Sequence, residues 1–219
     1  MAIDPIEHIQ ATFLKSFRCD GQPSRRHEHS PGPLLGAPVP EYLLGRYGGL
    51  SFAGGLYRLH ALNAVTKWTG AVVQAFPNYK GVECFASDWL GRQFALSAKH
   101  NADGEPGVLM FEPGTGQVLN IPANFLSFHA NELPQFSEAA LARRAYEDWL
   151  ANGGARPSVD ECIGYSAPLF LGGADEIANM EKTDMAVYWE IMGQLLEQTR
   201  ESADGALVTK VSLHEPSKN

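Results

Sequence analysis

The chain has 219 residues, of which 44% are hydrophobic and 19% charged, so it is long enough for a hydrophobic core and too apolar for general disorder. A formal net charge of −8 argues against direct nucleic-acid binding, because a protein that binds phosphates needs a basic surface. No apolar stretch approaches the roughly 18 residues of a membrane span, and the first residues do not resemble a signal peptide. The 3 cysteines are far apart, which predicts neither a disulfide framework nor a zinc site. These features predict a cytoplasmic protein without a membrane partner.

The N-terminal part is predicted to be mainly helical. Asp4 as N-cap and Pro5 in the first turn begin an amphipathic helix that continues to Asp20. Residues 21–40 are rich in proline and glycine, which predicts an exposed loop, and residues 40–44 predict a short helix. Two short strands follow at 50–53 and 56–60, and an amphipathic helix over 62–76 ends before Pro77.

Four strands are predicted next, at 82–87, 93–97, 108–112 and 117–121, each separated from the next by turn residues. Sequential strands with short turns favour an antiparallel meander, which needs helices on at least one face. Trp89 lies in the first of these turns. A large aromatic there either folds back onto the core, which is the more common outcome, or contacts a partner.

Helices return in the C-terminal part, over 121–132 and from Ser137 to residue 152. Residues 165–171 are apolar and predict a strand or extended segment. Asp184 begins a last helix with an apolar stripe, so that Glu190 and Glu197 should face solvent. Residues 202–219 predict a weak strand and a tail. The predicted fold class is α+β: a mainly antiparallel meander packed by N- and C-terminal helices into one compact unit.

Acidic residues are concentrated near the C-terminus. Residues 160–204 contain only two basic side chains, Lys182 and Arg200, and the acidic ones are Asp160, Glu161, Asp175, Glu176, Glu181, Asp184, Glu190, Glu197, Glu201 and Asp204. The charge of this segment, 2 − 10 = −8, equals the net charge of the whole chain. Such a field attracts a basic partner, or alternatively only keeps the protein soluble.

The sequence offers little for catalysis. It contains no phosphate-binding loop, dinucleotide fingerprint, serine-hydrolase elbow or zinc-protease motif. His27 and His29 lack a nearby third ligand, Asp160 and Glu161 are adjacent and therefore poorly placed to act together, and Cys162 has no evident activating base. We therefore expect no catalytic residues, no metal and no cofactor.

Two segments resemble a known bacterial family. Residues 85–94, FASDWLGRQF, are similar to its strand–turn–strand motif, and residues 160–173, DECIGYSAPLFLGG, are similar to its C-terminal signature. Ile163 departs from the pattern because an aromatic is commoner there. The family is that of type VI secretion immunity proteins that neutralise DNase effectors, whose immunity domain often follows a GAD-like region.

The resemblance implies a GAD-like region at 1–61, a C-terminal immunity domain at 62–205 with a SUKH-like fold, and a tail at 206–219. It also implies binding to a cognate nuclease toxin in competition between bacteria. Carboxylates would cover the toxin's basic cleft, or the toxin would be blocked away from its active site, for instance by distortion of its fold. The candidate toxin-binding residues are Asp88, Trp89, Asp160, Glu161, Asp175, Glu176, Glu190 and Glu197. Trp89, Tyr79 or Phe52 is expected to supply an apolar anchor.

Two alternatives remain open at this point. One is a SUKH-like interaction module whose partner is not a toxin. The other is a small enzyme of unrecognised type that uses Cys162 or the His27/His29 loop.

Overall fold

A six-stranded antiparallel sheet lies at the centre of the computed structural model, which describes residues 3–24, 32–101 and 103–201. Its strands are adjacent in chain order: β1 (Ser51–Phe52), β2 (Tyr57–Leu59), β3 (Val82–Asp88), β4 (Gln93–His100), β5 (Pro106–Glu112) and β6 (Gln117–Asn124). Two further strands, β7 (Glu161–Tyr165) and β8 (Met180–Asp184), form a separate antiparallel pair. The predicted meander is confirmed, and the two strands before it extend the same sheet.

Helices precede, interrupt and follow the strands. They are α1 (Pro5–Ala11), α2 (Phe13–Ser16), α3 (Pro38–Tyr47), α4 (Val65–Ala75), α5 (Phe125–Ser127), α6 (Leu133–Leu141), α7 (Arg143–Ala151) and α8 (Met185–Glu201). A π-helical turn, Phe128–Glu132, joins α5 to α6, and 3-10 turns occur at Leu62–Ala64, Leu169–Leu171 and Ile177–Asn179.

The first helix begins as predicted but is shorter. The Asp4 carboxylate accepts hydrogen bonds from the backbone N–H groups of Ile6 and Glu7 at 2.8 and 3.2 Å. At Thr12 the helix is distorted, with φ at −111° and ψ at −78°, and the Thr12 hydroxyl donates to the carbonyl oxygen of His8. The expected single helix is therefore two short helices, and the Thr12 hydroxyl shares the His8 carbonyl oxygen with the Thr12 N–H, a contact that often bends helices.

Two predicted boundaries in the C-terminal part were wrong. The strand β6 continues to Asn124, whose side chain caps α5, so no helix begins at residue 121. Ser137 lies inside α6 instead of capping a helix, and its hydroxyl accepts from Arg143 Nε. The chain breaks instead at Ala142, which adopts the left-handed conformation with φ 48° between α6 and α7.

The start of the last helix is confirmed, whereas the strand before it was missed. Asp184 accepts hydrogen bonds from the N–H groups of Ala186 and Val187, at 2.8 and 2.9 Å. Residues 180–184 pair with β7, with Ile163 opposite Lys182. A five-residue strand with three charged side chains carries little apolar alternation, which is why the sequence did not predict it.

Helices cover both faces of the main sheet, and successive residues of β4 show the two sides. Phe94 belongs to a core that the N-terminal helices share with α5, α6, α7 and Ile163 of β7. Ala95 points to the opposite face, where α4 and α8 pack through residues such as Trp68 and Trp189. The predicted α+β single unit is confirmed, whereas its likeness to the SUKH fold stays a prediction. The division of the chain at residue 61 stays a prediction.

Candidate functional site

The β3–β4 turn, residues 88–92, lies inside the protein. Asp88 has no exposed surface; its Oδ1 accepts from the backbone N–H groups of Leu90 and Arg92, and its Oδ2 accepts from Arg92 Nε at 2.6 Å. Arg92 also donates to the carbonyl oxygen of Ala140 at the end of α6. Asp88 is therefore half of a buried ion pair and is withdrawn from the candidate binding surface.

Trp89 is also fully buried, so core packing is its role. Its indole Nε1–H donates to the carbonyl oxygen of Leu141 at 2.8 Å, and its ring lies 5.1 Å from that of Tyr146. Its own carbonyl oxygen accepts from the N–H of Ile163 in β7. Phe52, proposed as an alternative anchor, is buried as well, whereas Tyr79 is only partly buried. The turn thus holds the C-terminal elements on the sheet.

Glu161 is exposed in part but is already paired within the chain. One carboxylate oxygen accepts from Lys182 at 2.8 Å and the other from the N–H of Ser158 at 2.9 Å. The hydrogen bond from Lys182, followed by that from Ser158, lowers the pKa of Glu161 to about 2. Asp160 is exposed, and its backbone carbonyl oxygen accepts from the N–H of Met185 at the start of α8.

Two of the predicted acids, Asp175 and Glu176, lie together in a groove of about 460 Å³ between α7 and the segment before β8. Asp148 of α7 joins them from the opposite side, and Ile177 and Met180 give the groove apolar surface. We call this the acidic groove, with Asp148, Asp175 and Glu176 as its acids. All three are exposed, so their charges are available to a partner.

The groove is shaped by hydrogen bonds that leave its acids facing outward. Asn179 holds the preceding loop closed, donating to the carbonyl oxygens of Ala167 and Ala174 at 2.8 Å each. Tyr165 at the end of β7 donates its hydroxyl to Asp175 at 2.7 Å. Burial, and then this hydrogen bond, raises the pKa of Tyr165 well above its usual value. The loop is therefore a formed structure, which presents carboxylates without first having to order them.

Asp148 is not among the acids predicted from the sequence, because the local excess of acidic residues begins only at residue 160. The apolar stripe of α7 places Glu147 and Asp148 on the outer side of the helix, and this was the available signal. Glu190 lies elsewhere, along a separate groove between α4 and α8 that Lys67 and Trp68 also line. Glu197 is exposed on α8. The structure thus brings together Asp175 and Glu176 but not Glu190.

Catalytic chemistry finds little support among the described residues. Cys162 is fully buried, and burial raises the pKa of its thiol far above the usual value, so the nucleophilic thiolate is disfavoured. No cluster of three or more metal-ligating side chains occurs in the described part of the chain. His27 and His29 lie outside the described residues. Within the described ranges, no helix is long and apolar enough to cross a bilayer.

Comparisons with known proteins bear on the same C-terminal segment. The chain resembles the crystal structure of Atu4351 from Agrobacterium tumefaciens with a TM-score of 0.50, at 14% identity, over 83% of this chain and 86% of that one, a likeness that concerns the fold alone. No curated protein matches the chain. Residues 123–196, which include the whole acidic groove, match the family model described as "T6SS immunity protein Tdi1, C-terminal". This segment of the chain is therefore similar to the C-terminal domain of a type VI secretion immunity protein, the family that the signature at 160–173 predicted.

Proposed function

We propose that the protein is a cytoplasmic immunity protein that binds one copy of a type VI DNase effector and neutralises it during competition between bacteria. The observation that carries the proposal is the acidic groove, because it lies entirely within the segment that matches the immunity family. The proposed role is binding without catalysis.

The physical argument begins with the partner's chemistry. A DNase must present basic side chains to the phosphates of DNA, and a groove with three exposed carboxylates offers those side chains an alternative set of anions. Attraction between opposite charges speeds association and suppresses unsuitable partners. The three acids are accompanied by few competing cations on the groove wall, since its other lining residues are Ala145, Ile177, Ala178 and Met180.

Charge alone gives modest affinity, so tight neutralisation needs apolar contacts as well. Ile177 and Met180 line the groove, are partly buried, and are suited to the aliphatic part of a lysine or arginine side chain. Asp160, Glu190 and Glu197 are assigned to the periphery of the interface or to solubility, and Glu161 to its internal pair with Lys182.

The test uses the purified full chain and a DNase effector encoded next to its gene. We expect a one-to-one complex by size-exclusion chromatography with light scattering, and loss of plasmid cleavage when the chain is added in equimolar amount. The double variant Asp148→Asn/Glu176→Gln should weaken the complex at least tenfold. Its matched control is Glu7→Gln/Glu105→Gln, which removes the same charge from two exposed positions outside the groove and should bind like the wild type.

Two results would contradict the proposal. If no complex forms and cleavage continues, the chain is better described as a SUKH-like interaction module with a different partner. If the two double variants lose the same affinity, net charge and not the acidic groove determines binding.

A further inference from the structure

A second cleft, of about 700 Å³, opens where the β1–β2 turn meets the segment that follows α7. Arg18 and Asp20 line it from the chain before β1, Gly54 from the turn, and Arg156 from the segment after α7. We call it the arginine cleft. It shares no lining residue with the acidic groove.

The turn at the base of the cleft has an unusual backbone. Ala53, Gly54 and Gly55 all have positive φ, at 53, 71 and 91°. This directs the N–H groups of Gly54 and Gly55 at the two carboxylate oxygens of Asp20, each at 2.9 Å. Among the described residues, Asp20 is the acid that lines the cleft, and each of its oxygens thus accepts one hydrogen bond from the backbone.

Arg156 lies directly against this turn. A Cβ atom added to Gly54 would be 3.0 Å from Nη1 of Arg156 and 3.2 Å from its Cζ, so the absence of a side chain at Gly54 lets the guanidinium approach the backbone. The turn is fixed from behind, because Tyr146 donates its hydroxyl to the carbonyl oxygen of Gly54 at 2.6 Å. The guanidinium of Arg156 therefore lies beside a firmly held turn while its side chain remains exposed.

The two arginines have unused charge. Arg18 and Arg156 are both exposed, and neither forms an ion pair with any residue that the structure describes. With two arginines and one carboxylate, the lining of the cleft has a formal charge of 2 − 1 = +1, on a protein whose net charge is −8. Guanidinium groups bind oxyanions with paired hydrogen bonds, which an ammonium group cannot supply.

We propose that the arginine cleft binds an oxyanion, a phosphate or carboxylate group of a small ligand, through the guanidinium groups of Arg18 and Arg156. This goes beyond the proposed function, because it concerns a cleft with different lining residues and an anionic ligand, and its test needs no toxin.

The test is isothermal titration of the full chain at low salt with pyrophosphate, inorganic phosphate and succinate. We expect saturable one-to-one binding of at least one of them, weakened tenfold or more in both Arg18→Gln and Arg156→Gln. The control Arg144→Gln removes an exposed arginine from α7 and should bind like the wild type. Preference for the phosphates identifies a phosphorylated ligand, and equal or stronger binding of succinate identifies a carboxylate; both support the site.

A second readout reports from the cleft itself. Cys19 lines it and is partly exposed, whereas Cys84 and Cys162 are buried, so iodoacetamide should modify Cys19 selectively. A bound anion should slow that modification in the wild type and not in Arg156→Gln, as measured by intact mass. Absence of saturable binding, or equal losses in Arg144→Gln and Arg156→Gln, would overturn the proposal.

Discussion

The indole Nε1–H of Trp89 donates to the carbonyl oxygen of Leu141 across 2.8 Å, joining the β3–β4 turn to the last residue of α6. The chain turns abruptly just after this residue, at the left-handed Ala142. The hydrogen bond satisfies a helix-terminal carbonyl group that would otherwise be buried without a partner.

We expect Trp89→Phe to lower the free energy of unfolding by about 2–4 kcal/mol, since it removes this donor and leaves a cavity in the core. Urea denaturation followed by circular dichroism measures the change. Trp149→Phe is the matched control, because its indole also donates to a backbone carbonyl oxygen, that of Ala155, but the side chain is only partly buried. Equal losses in the two variants would show that Trp89 does not have the role described.

The buried ion pair gives a second prediction. Asp88→Asn leaves the charge of Arg92 without its partner in the interior, and we expect a loss of about 3–5 kcal/mol in the free energy of unfolding. Glu161→Gln breaks the half-exposed pair with Lys182 and should cost no more than about 1 kcal/mol. A larger loss in the free energy of unfolding for Glu161→Gln than for Asp88→Asn would contradict the prediction.

Asp88 and Trp89 also show where prediction from the sequence reached its limit. The strands around Asp88 and Trp89 were predicted from alternation and turn residues, which are local properties. Whether the turn faced solvent depended on what covered it, namely the ends of α6, β7 and α8. Those contacts join residues more than 50 positions apart, and periodicity carries no information about them.

The acidic groove was also predictable only in part, because local properties can be read from the sequence and contacts between distant residues cannot. Asp175 and Glu176 were found through a local excess of charge. Asp148 approaches them only because α7 packs beside the loop that Asn179 closes. The strand β8 was missed because its charged residues, Glu181, Lys182 and Asp184, hid a pairing that depends on β7.

Two buried histidines predict how stability depends on pH. Burial lowers the pKa of His60 and of His129 to about 4, from an ordinary value of 6.5. Between these pH values the unfolded chain binds more protons than the folded one. The free energy of unfolding should therefore fall as the pH decreases from 6.5 towards 4, by up to about 1.4 kcal/mol per pH unit for each histidine.

His129 shows why the neutral form is required. Its Nδ1–H donates to the carbonyl oxygen of Phe125, so Nε2 must accept from the hydroxyl of Tyr57, each at 2.9 Å. We expect His129→Gln to be less stable at pH 7.5 but to lose less stability on going to pH 5, as measured by urea denaturation at each pH. An unchanged pH dependence would contradict this assignment.

The acidic groove predicts a kinetic effect on the proposed complex. Asp148→Asn/Glu176→Gln should lower the association rate constant several-fold at low ionic strength, with a much smaller effect in 0.5 M salt, where the screening length is about 4 Å. Stopped-flow fluorescence with the effector measures both conditions. A deficit that persists fully at high salt would indicate lost contacts and not electrostatic attraction.

The left-handed Ala142 predicts a stabilising substitution. Glycine adopts φ near 48° without steric cost, so Ala142→Gly should raise the free energy of unfolding by up to about 1 kcal/mol. Ala139→Gly, at an exposed position inside α6, should lower it by about the same amount. Thermal melting distinguishes the two, and destabilisation by Ala142→Gly would contradict the prediction.

Gly91 of the β3–β4 turn restricts which strands can be combined with the segment that matches the immunity family. A Cβ atom at Gly91 would lie 3.0 Å from Sγ of Cys162. The carbonyl oxygen of Gly91 accepts a hydrogen bond from the indole N–H of Trp189 at 2.7 Å. The segment that matches the immunity family therefore completes its interior with residues that precede it in the chain. Produced alone, residues 123–196 would expose Cys162 and Trp189, so a chimera that joins this segment to another protein's strands must keep a glycine at the matching turn.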